Sequence, residues 1–343
     1  ECVCLIGPGH AGPFKADGTK TTQRAPAQDV TGIYQILAGA GAVWYRQDPD
    51  AAGCDGFLCI ADDTSHVKFY DNQFNLVHTA TIDFDARAIY PIDKDYCLAI
   101  GVTTNNVLRI ARIHFTENTW TEAAIHYCGG SDLAECPSPF MATDTNGVLH
   151  IPLVSTRCDT DYEGFHSQII QITNTDILDA KAPIISEVID FPDFVIAGAV
   201  NLNGTIHYIG CRIIKGATAR FRPIVLSHPK TVVWESEYES DILADVFPRA
   251  IWADGRSEAL FVNKDLDSGR YQSVMHLTTD GVQEAFAFLE DVTRTRSTIA
   301  AVTRVGSSLY AYDIKQNVLR KATQDVDEAR AGNLACELVT SRY

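Results

Sequence analysis

The chain has 343 residues, of which 46% are apolar and 21% charged, enough to bury a large core and too apolar for a disordered chain. Against 28 Lys and Arg stand 44 Asp and Glu, a formal net charge of −16. Such a surface repels phosphate backbones and anionic lipid, which excludes nucleic acid as a partner class.

Residues 1–30 read as an extended N-terminal arm. An apolar head, CVCLIG, is followed by a Gly-, Pro- and Thr-rich stretch over 7–29. An arm of this kind can add a strand to a neighbouring molecule. Residues 30–45, VTGIYQILAGAGAVWY, form the longest apolar stretch. They are too short to cross a bilayer and carry Gln35 and three Gly, so no membrane insertion is expected.

From residue 31 onward the pattern is short β-branched or aromatic runs bounded by Gly, Asn, Asp and Pro, with almost no helical periodicity. Only 325–335, DVDEARAGNLA, suggests a helical turn or an exposed loop. Hairpin turns recur: a long one near Asp50–Gly56, then Asp93-Lys94-Asp95, Asn146-Gly147, Asn203-Gly204, Asp254-Gly255 and Val305-Gly306. Asn-Gly and Asp-Gly are strong hairpin signals, because a type I′ turn needs φ > 0 at both central residues. After most of these hairpins comes a second pair of apolar runs, as in HVKFYDNQFNLVHTATI, RPIVLSHPKTVVWESEY and YQSVMHLTTDGVQEAFAF. A near-echo supports the repeat: ARAIYPIDKDYCLAIG begins at Ala86, and PRAIWADGRSEALFV begins at Pro248. Four strands at a period of about 50 residues is the signature of a β-propeller. The expected fold is therefore all-β, with residues 31–343 forming a single β-propeller of six four-stranded blades; five or seven are the alternative counts. GIYQILAG (32–39) or CELVTSRY (336–343) could supply a closing strand. The competing architecture, a pair of β-sandwiches, would need a mid-chain linker, and none is visible.

Ten cysteines, an even number, suggest disulfides and an extracellular or cell-surface location: Cys2, Cys4, Cys54, Cys59, Cys97, Cys128, Cys136, Cys158, Cys211 and Cys336. The sequon Asn203-Gly204-Thr205 falls on an expected exposed turn and is the candidate glycosylation site.

Candidate chemistry is sparse. His150 and His207 share an offset of four residues from Asn146 and Asn203, the arrangement in which two blades could contribute metal ligands. Propeller glycosidases need converging acids, and Asp62, Asp63, Asp93, Asp144, Asp254 and Asp265 are near expected strand ends. Arg87, Arg249 and Arg304 come from three units and could bind a substrate carboxylate. The weak catalytic set is Arg87, Arg249, Arg304 and Asp254. Each member has a plainer reading as a turn residue or a backbone-bonding side chain. Trp44, Trp120, Trp234 and Trp252 share no single register, which points to packing rather than repeated sugar platforms. There is no G-x-S-x-G elbow, P-loop or EF-hand loop. No cofactor is expected, and a Ca²⁺ ion in a central channel is the one to test. The expectation is a non-catalytic binding or structural module for a protein or glycan ligand, or for other copies of itself through the arm. The alternative is a carbohydrate-active hydrolase or lyase with an axial Asp, Glu and Arg site.

Overall fold

The computed structural model describes residues 2–7, 10–15, 42–45, 57–61, 66–70, 76–84, 86–91, 96–102, 107–114, 120–127, 135–138, 140–155, 167–173, 185–216, 218–248, 250–264, 271–289, 299–305, 308–313, 318–323 and 337–339. Cys2–Gly7 and His10–Lys15 pair as an antiparallel hairpin at the start of the expected arm. The rest of the arm, residues 32–39 and the expected helical turn at 325–335 lie outside the described residues.

Six sheets follow, each built from strands in sequence order. Sheet I comprises Ala42–Tyr45, Phe57–Ala61, His66–Tyr70 and Leu76–Thr81. Sheet II comprises Ala86–Pro91, Tyr96–Val102, Val107–His114 and Trp120–Tyr127. Sheet III contains Glu135–Pro137, Val148–Ser155, Ser167–Thr173 and Ile185–Phe191. Sheet IV comprises Phe194–Leu202, Thr205–Ile214, Arg220–Ser227 and Thr231–Glu235. Sheet V comprises Ile251–Ala253, Glu258–Lys264, Tyr271–Thr278 and Gly281–Leu289. Sheet VI comprises Ile299–Val305, Ser308–Asp313, Val318–Thr323 and Glu337–Val339. CELVTSRY thus supplies the fourth strand of sheet VI. Contacts group the chain into two units. The first holds the N-terminal hairpin, sheets I and II and most of sheet III; the second holds sheets IV to VI together with Ala142–Thr145.

Alternation explains the packing within each unit. Along the second strand of sheet II, Cys97 and Ala99 join Val67, Phe69 and Ala80 of sheet I, while Leu98 and Ile100 join Leu149, Ile151 and Ile170 of sheet III. Successive residues point to opposite faces, and both faces are covered. Sheet V repeats the rule: Leu260 and Val262 pack with Val302 and Leu309 of sheet VI. Such strands read as continuous apolar runs because neither face meets water. Each fully buried Leu, Ile or Phe contributes roughly 1.5–3 kcal/mol.

The sequence echo is a true structural equivalence. Ile89, Tyr90 and Pro91 pair with Ala99, Leu98 and Cys97, as Ile251, Trp252 and Ala253 pair with Phe261, Leu260 and Ala259. The irregularities repeat as well. Bulges interrupt the third–fourth strand pairing in sheets I, II, IV and V. They interrupt the first–second pairing in sheets II, IV and VI. A bulge raises local twist, which suits a strongly twisted blade.

The turns differ from expectation in detail. Asn203 (φ 49) and Gly204 (φ 85) form the two-residue turn with both φ positive. At Asn146-Gly147 and Asp254-Gly255 only the glycine has positive φ. The second of these is a four-residue loop over 254–257, closed by Asp254 N–H donating to the Glu258 carbonyl at 3.1 Å. The Asp254 carboxylate accepts from the backbone N–H of Arg256, Ser257 and Glu258 at 2.8, 2.8 and 3.0 Å, and from Ser257 Oγ at 2.9 Å. Partial burial pushes the Asp254 carboxyl up, but these hydrogen bonds outweigh it and hold the carboxyl below the usual carboxylate range. Val305 belongs to the first strand of sheet VI and pairs with Ser308; Gly306 lies outside the described residues.

Two glycines are required. At Gly204 a side chain would meet both the positive φ and the Thr145 methyl group. Gly210 sits beside the sheet IV bulge, where a Cβ would run into the Val195 carbonyl. Gly204→Val and Gly210→Ala should each cost about 1–3 kcal/mol, whereas Gly216→Ala, whose Cβ would meet the Thr218 carbonyl at an ordinary contact distance of 3.5 Å, should leave the thermal midpoint unchanged. An unshifted midpoint for Gly210→Ala would refute this packing. Asp254→Ala should lower the midpoint at neutral pH. Because the folded carboxyl titrates low, its contribution is present above the unfolded value and fades as pH falls through the folded one. The gap between wild type and variant should therefore close below about pH 4; a gap independent of pH would sink the loop-capping role.

Candidate functional site

In sheets IV and V the two strand ends are joined differently. At one end, tight turns join first to second or third to fourth strands, as at 203–204, 254–257 and 279–280. At the other end, called the long-loop end wherever a first strand begins, residues 236–248 lead from sheet IV towards sheet V. Function collects on such loops because the strands below them are rigid.

Register sorts the candidate residues between these ends. Arg87 is the extra residue of the bulge between Ala86 and Ala88, at the long-loop end of sheet II. Ala250 bonds Val262 through its carbonyl at 3.1 Å and is the counterpart of Ala88. Arg249, the residue before it, lies outside the described residues. Arg304 pairs with Leu309 at the opposite, tight-turn end of its strand, about 10 Å along the strand from the bulge level. Asp254 is also at the tight-turn end, and its carboxylate is committed to its own loop. Arg304 and Asp254 thus each sit at the tight-turn end of their own sheet, whereas Arg87 sits at the opposite end of sheet II. Asp144, partly buried, precedes the tight turn of sheet III. Asp62, Asp63, Asp93 and Asp265 lie outside the described residues; Asp62 and Asp265 directly follow the second strands of sheets I and V.

The two histidines are not equivalent. Relative to the last residue of each third strand, the matching positions are Val148, His207 and Glu258, which pair with Thr173, Ser227 and Thr278. His150 lies two residues deeper and pairs with Gln171. The shared offset from Asn arises because the sheet III loop is longer than the sheet IV turn. His150 is 1% and His207 8% exposed. Burial pushes the His207 imidazole below its usual range, opposed by the hydrogen bond of Nδ1 with the Thr205 carbonyl at 3.1 Å. Among the described residues no group of three or more His, Cys, Asp or Glu is placed to hold a metal ion.

Two of the ten cysteines correct the disulfide expectation. Cys97 and Cys211 are free thiols. Both lie on second strands, fully buried, with apolar neighbours on the covered faces. Cys211 Sγ donates to the Val246 carbonyl at 3.5 Å, and burial pushes the thiol far up. It behaves as a small apolar core residue. The side chains of the other eight are not described. Asn203 is exposed at its turn, as is Thr205.

Several polar groups carry no sequence motif. Glu258 accepts from or donates to His276 Nε2 at 2.7 Å in a largely buried pair. On sheet IV, Arg212 and Arg222 face each other in direct register. Glu235 bridges them at 3.1 and 3.2 Å, and Glu239 bonds Arg222 at 2.9 Å and also Arg220. The Arg222 hydrogen bond and the Arg220 charge hold the Glu239 carboxyl below its usual range against some desolvation. The alternating Arg220-Phe221-Arg222 was the available signal for this ladder. Of the tryptophans, Trp234 meets Phe261 edge-on at 6.0 Å and Trp252 packs on the sheet V–VI core, which is packing as expected; the Trp44 and Trp120 side chains are not described.

No protein-family model matches the chain, and no curated protein matches it by sequence. Its fold is similar to solved structures. The periplasmic gluconolactonase PpgL of Pseudomonas aeruginosa aligns at TM-score 0.61 and 9% identity, over 96% of this chain and 90% of that one. The Dos1 propeller aligns at TM-score 0.51 and 10% identity, over 83% and 67%. The β-propeller domain of Cps50 (Swd1) from Myceliophteria thermophila aligns at TM-score 0.50 and 9% identity, over 89% and 87%. Sequential four-stranded antiparallel sheets, repeated bulges and these likenesses together make the fold of this chain a β-propeller.

Proposed function

We propose that this chain is a binding module that holds a protein or glycan ligand at the long-loop end of its sheets. The carrying observation is the place of Arg87, the extra residue of the first-strand bulge of sheet II, since bulges collect next to functional sites. Asp254, by contrast, is spent on its own turn. A surface of net charge −16 favours neutral or cationic ligand groups, with arginines as local exceptions for a carboxylate. The N-terminal hairpin offers a second means of association, with other copies of the chain.

A second reading is supported by the likeness to the periplasmic gluconolactonase over 96% of the chain: hydrolysis of a sugar lactone at the same end. The test for both is a glycan array of neutral and carboxylated oligosaccharides, run beside a pH-stat assay of glucono-1,5-lactone opening. Retention of carboxylated glycans, lost in Arg87→Ala and Arg249→Ala but kept in Arg304→Ala, supports the binding module. Lactone opening above the buffer rate supports the enzyme. Equal loss in all three variants would refute the assignment to the long-loop end.

We further infer an extracytoplasmic location, supported by the exposed sequon at Asn203 and by the eight cysteines other than Cys97 and Cys211. Intact mass should rise by eight hydrogens on reduction and fall by a glycan on deglycosylation. Cys97 and Cys211 should alkylate only after unfolding. Ten free thiols and no glycan would overturn this location.

A further inference from the structure

Asn263 lies on the second strand of sheet V and is 3% exposed, yet among the described residues neither its Oδ1 nor its Nδ2 has a hydrogen-bond partner. Its setting is specific. It shares a face with Phe261, two residues earlier, whose ring meets Trp234 of sheet IV. Asn263 therefore faces the boundary between sheets IV and V. The short helix Leu243–Val246 packs against this strand and against the third strand of sheet IV. Directly opposite Asn263 in register is Ser273, 0% exposed, whose hydroxyl donates to Glu284 Oε2 at 2.8 Å. That leaves the Ser273 oxygen able to accept.

Other buried polar groups nearby are satisfied. Ser236 Oγ accepts from Tyr238 N–H at 3.0 Å, and Ser240 Oγ accepts from Ile242 N–H at 3.1 Å. At the next boundary, between sheets V and VI, the described buried residues include Leu260, Val262, Val274, Val302 and Leu309. An amide buried with both ends unpaired is rare in native proteins, and the usual partner for such a group is ordered water.

We propose that Asn263 is a buried hydration site between sheets IV and V. One water donates to Asn263 Oδ1 and to Ser273 Oγ, and a second accepts from Nδ2–H. The site makes the IV–V boundary a hydrated seam. A leucine of similar size at position 263 would expel the waters and strand the Ser273 acceptor.

A crystal structure of the full chain at about 1.5 Å is the test, with two ordered waters expected within hydrogen-bond reach of the amide, roughly 3.2 Å or less. Asn263→Leu should lack both waters and melt lower by about 2 °C or more. An ordered Asn263 with no water density beside it, or with its amide turned onto a protein partner, overturns the proposal. So does a higher midpoint for Asn263→Leu, the result expected if the variant merely removes an orphaned polar group. If the leucine variant does not fold, the wild-type map alone decides.

Discussion

Apolar packing of one sheet on the next is the interaction on which the rest of this structure depends. A four-stranded sheet alone would leave two wide apolar faces in water. Here the second strands of sheets II and V are buried on both sides, with odd and even residues going to different neighbours. Because the strand period is two, a register slip of one residue would exchange the two faces. The bulges, the close approach at Gly210 and the positive-φ turn at Asn203-Gly204 are local geometries that this packing enforces.

The same constraint decides what polar residues can do. Side chains on the covered faces of second and third strands are enclosed: His150, His207, Gln171 and Ser273 are buried and the Glu258–His276 pair is largely so. They need partners more than they offer reactivity. Cys97 and Cys211 fall under the same rule: both are fully buried free thiols on second strands, and burial pushes the Cys211 thiol far up. Chemistry or recognition has to come from strand ends and connections, where the backbone is free to vary without disturbing the stack.

The two strand ends divide that freedom unequally. Tight turns hold their own polar groups, with Asp254 capping three backbone N–H groups and Asn201 bonding both Gly204 N–H and the Thr143 carbonyl. A carboxylate with its oxygens occupied in this way is poorly placed to act on a ligand. Arg87, the extra residue of the sheet II bulge, is the described candidate that lies outside such a turn. The Arg212, Arg222, Glu235 and Glu239 ladder shows a third use of charge: like charges placed opposite each other by register and neutralised by Glu235 of the fourth strand and Glu239 just beyond it.

The sequence by itself determined the all-β class, the four-strand repeat and most hairpin positions. Those depend on local signals: period-two apolar runs, Asn-Gly and Asp-Gly turns, and the Arg-Ala-Ile-aromatic echo, which proved equivalent in register. What only the tertiary structure decided was which residues share a level. His150 and His207 match by counting from Asn, yet differ by two positions, because loop length shifts the count while hydrogen-bond register sets the position. Arg304 resembled Arg87 in belonging to a first strand, but sits at the other end of it. The thiols of Cys97 and Cys211 and the stranded amide of Asn263 were equally illegible, because whether a small polar side chain faces a partner, water or an apolar wall is set by residues far away in the chain.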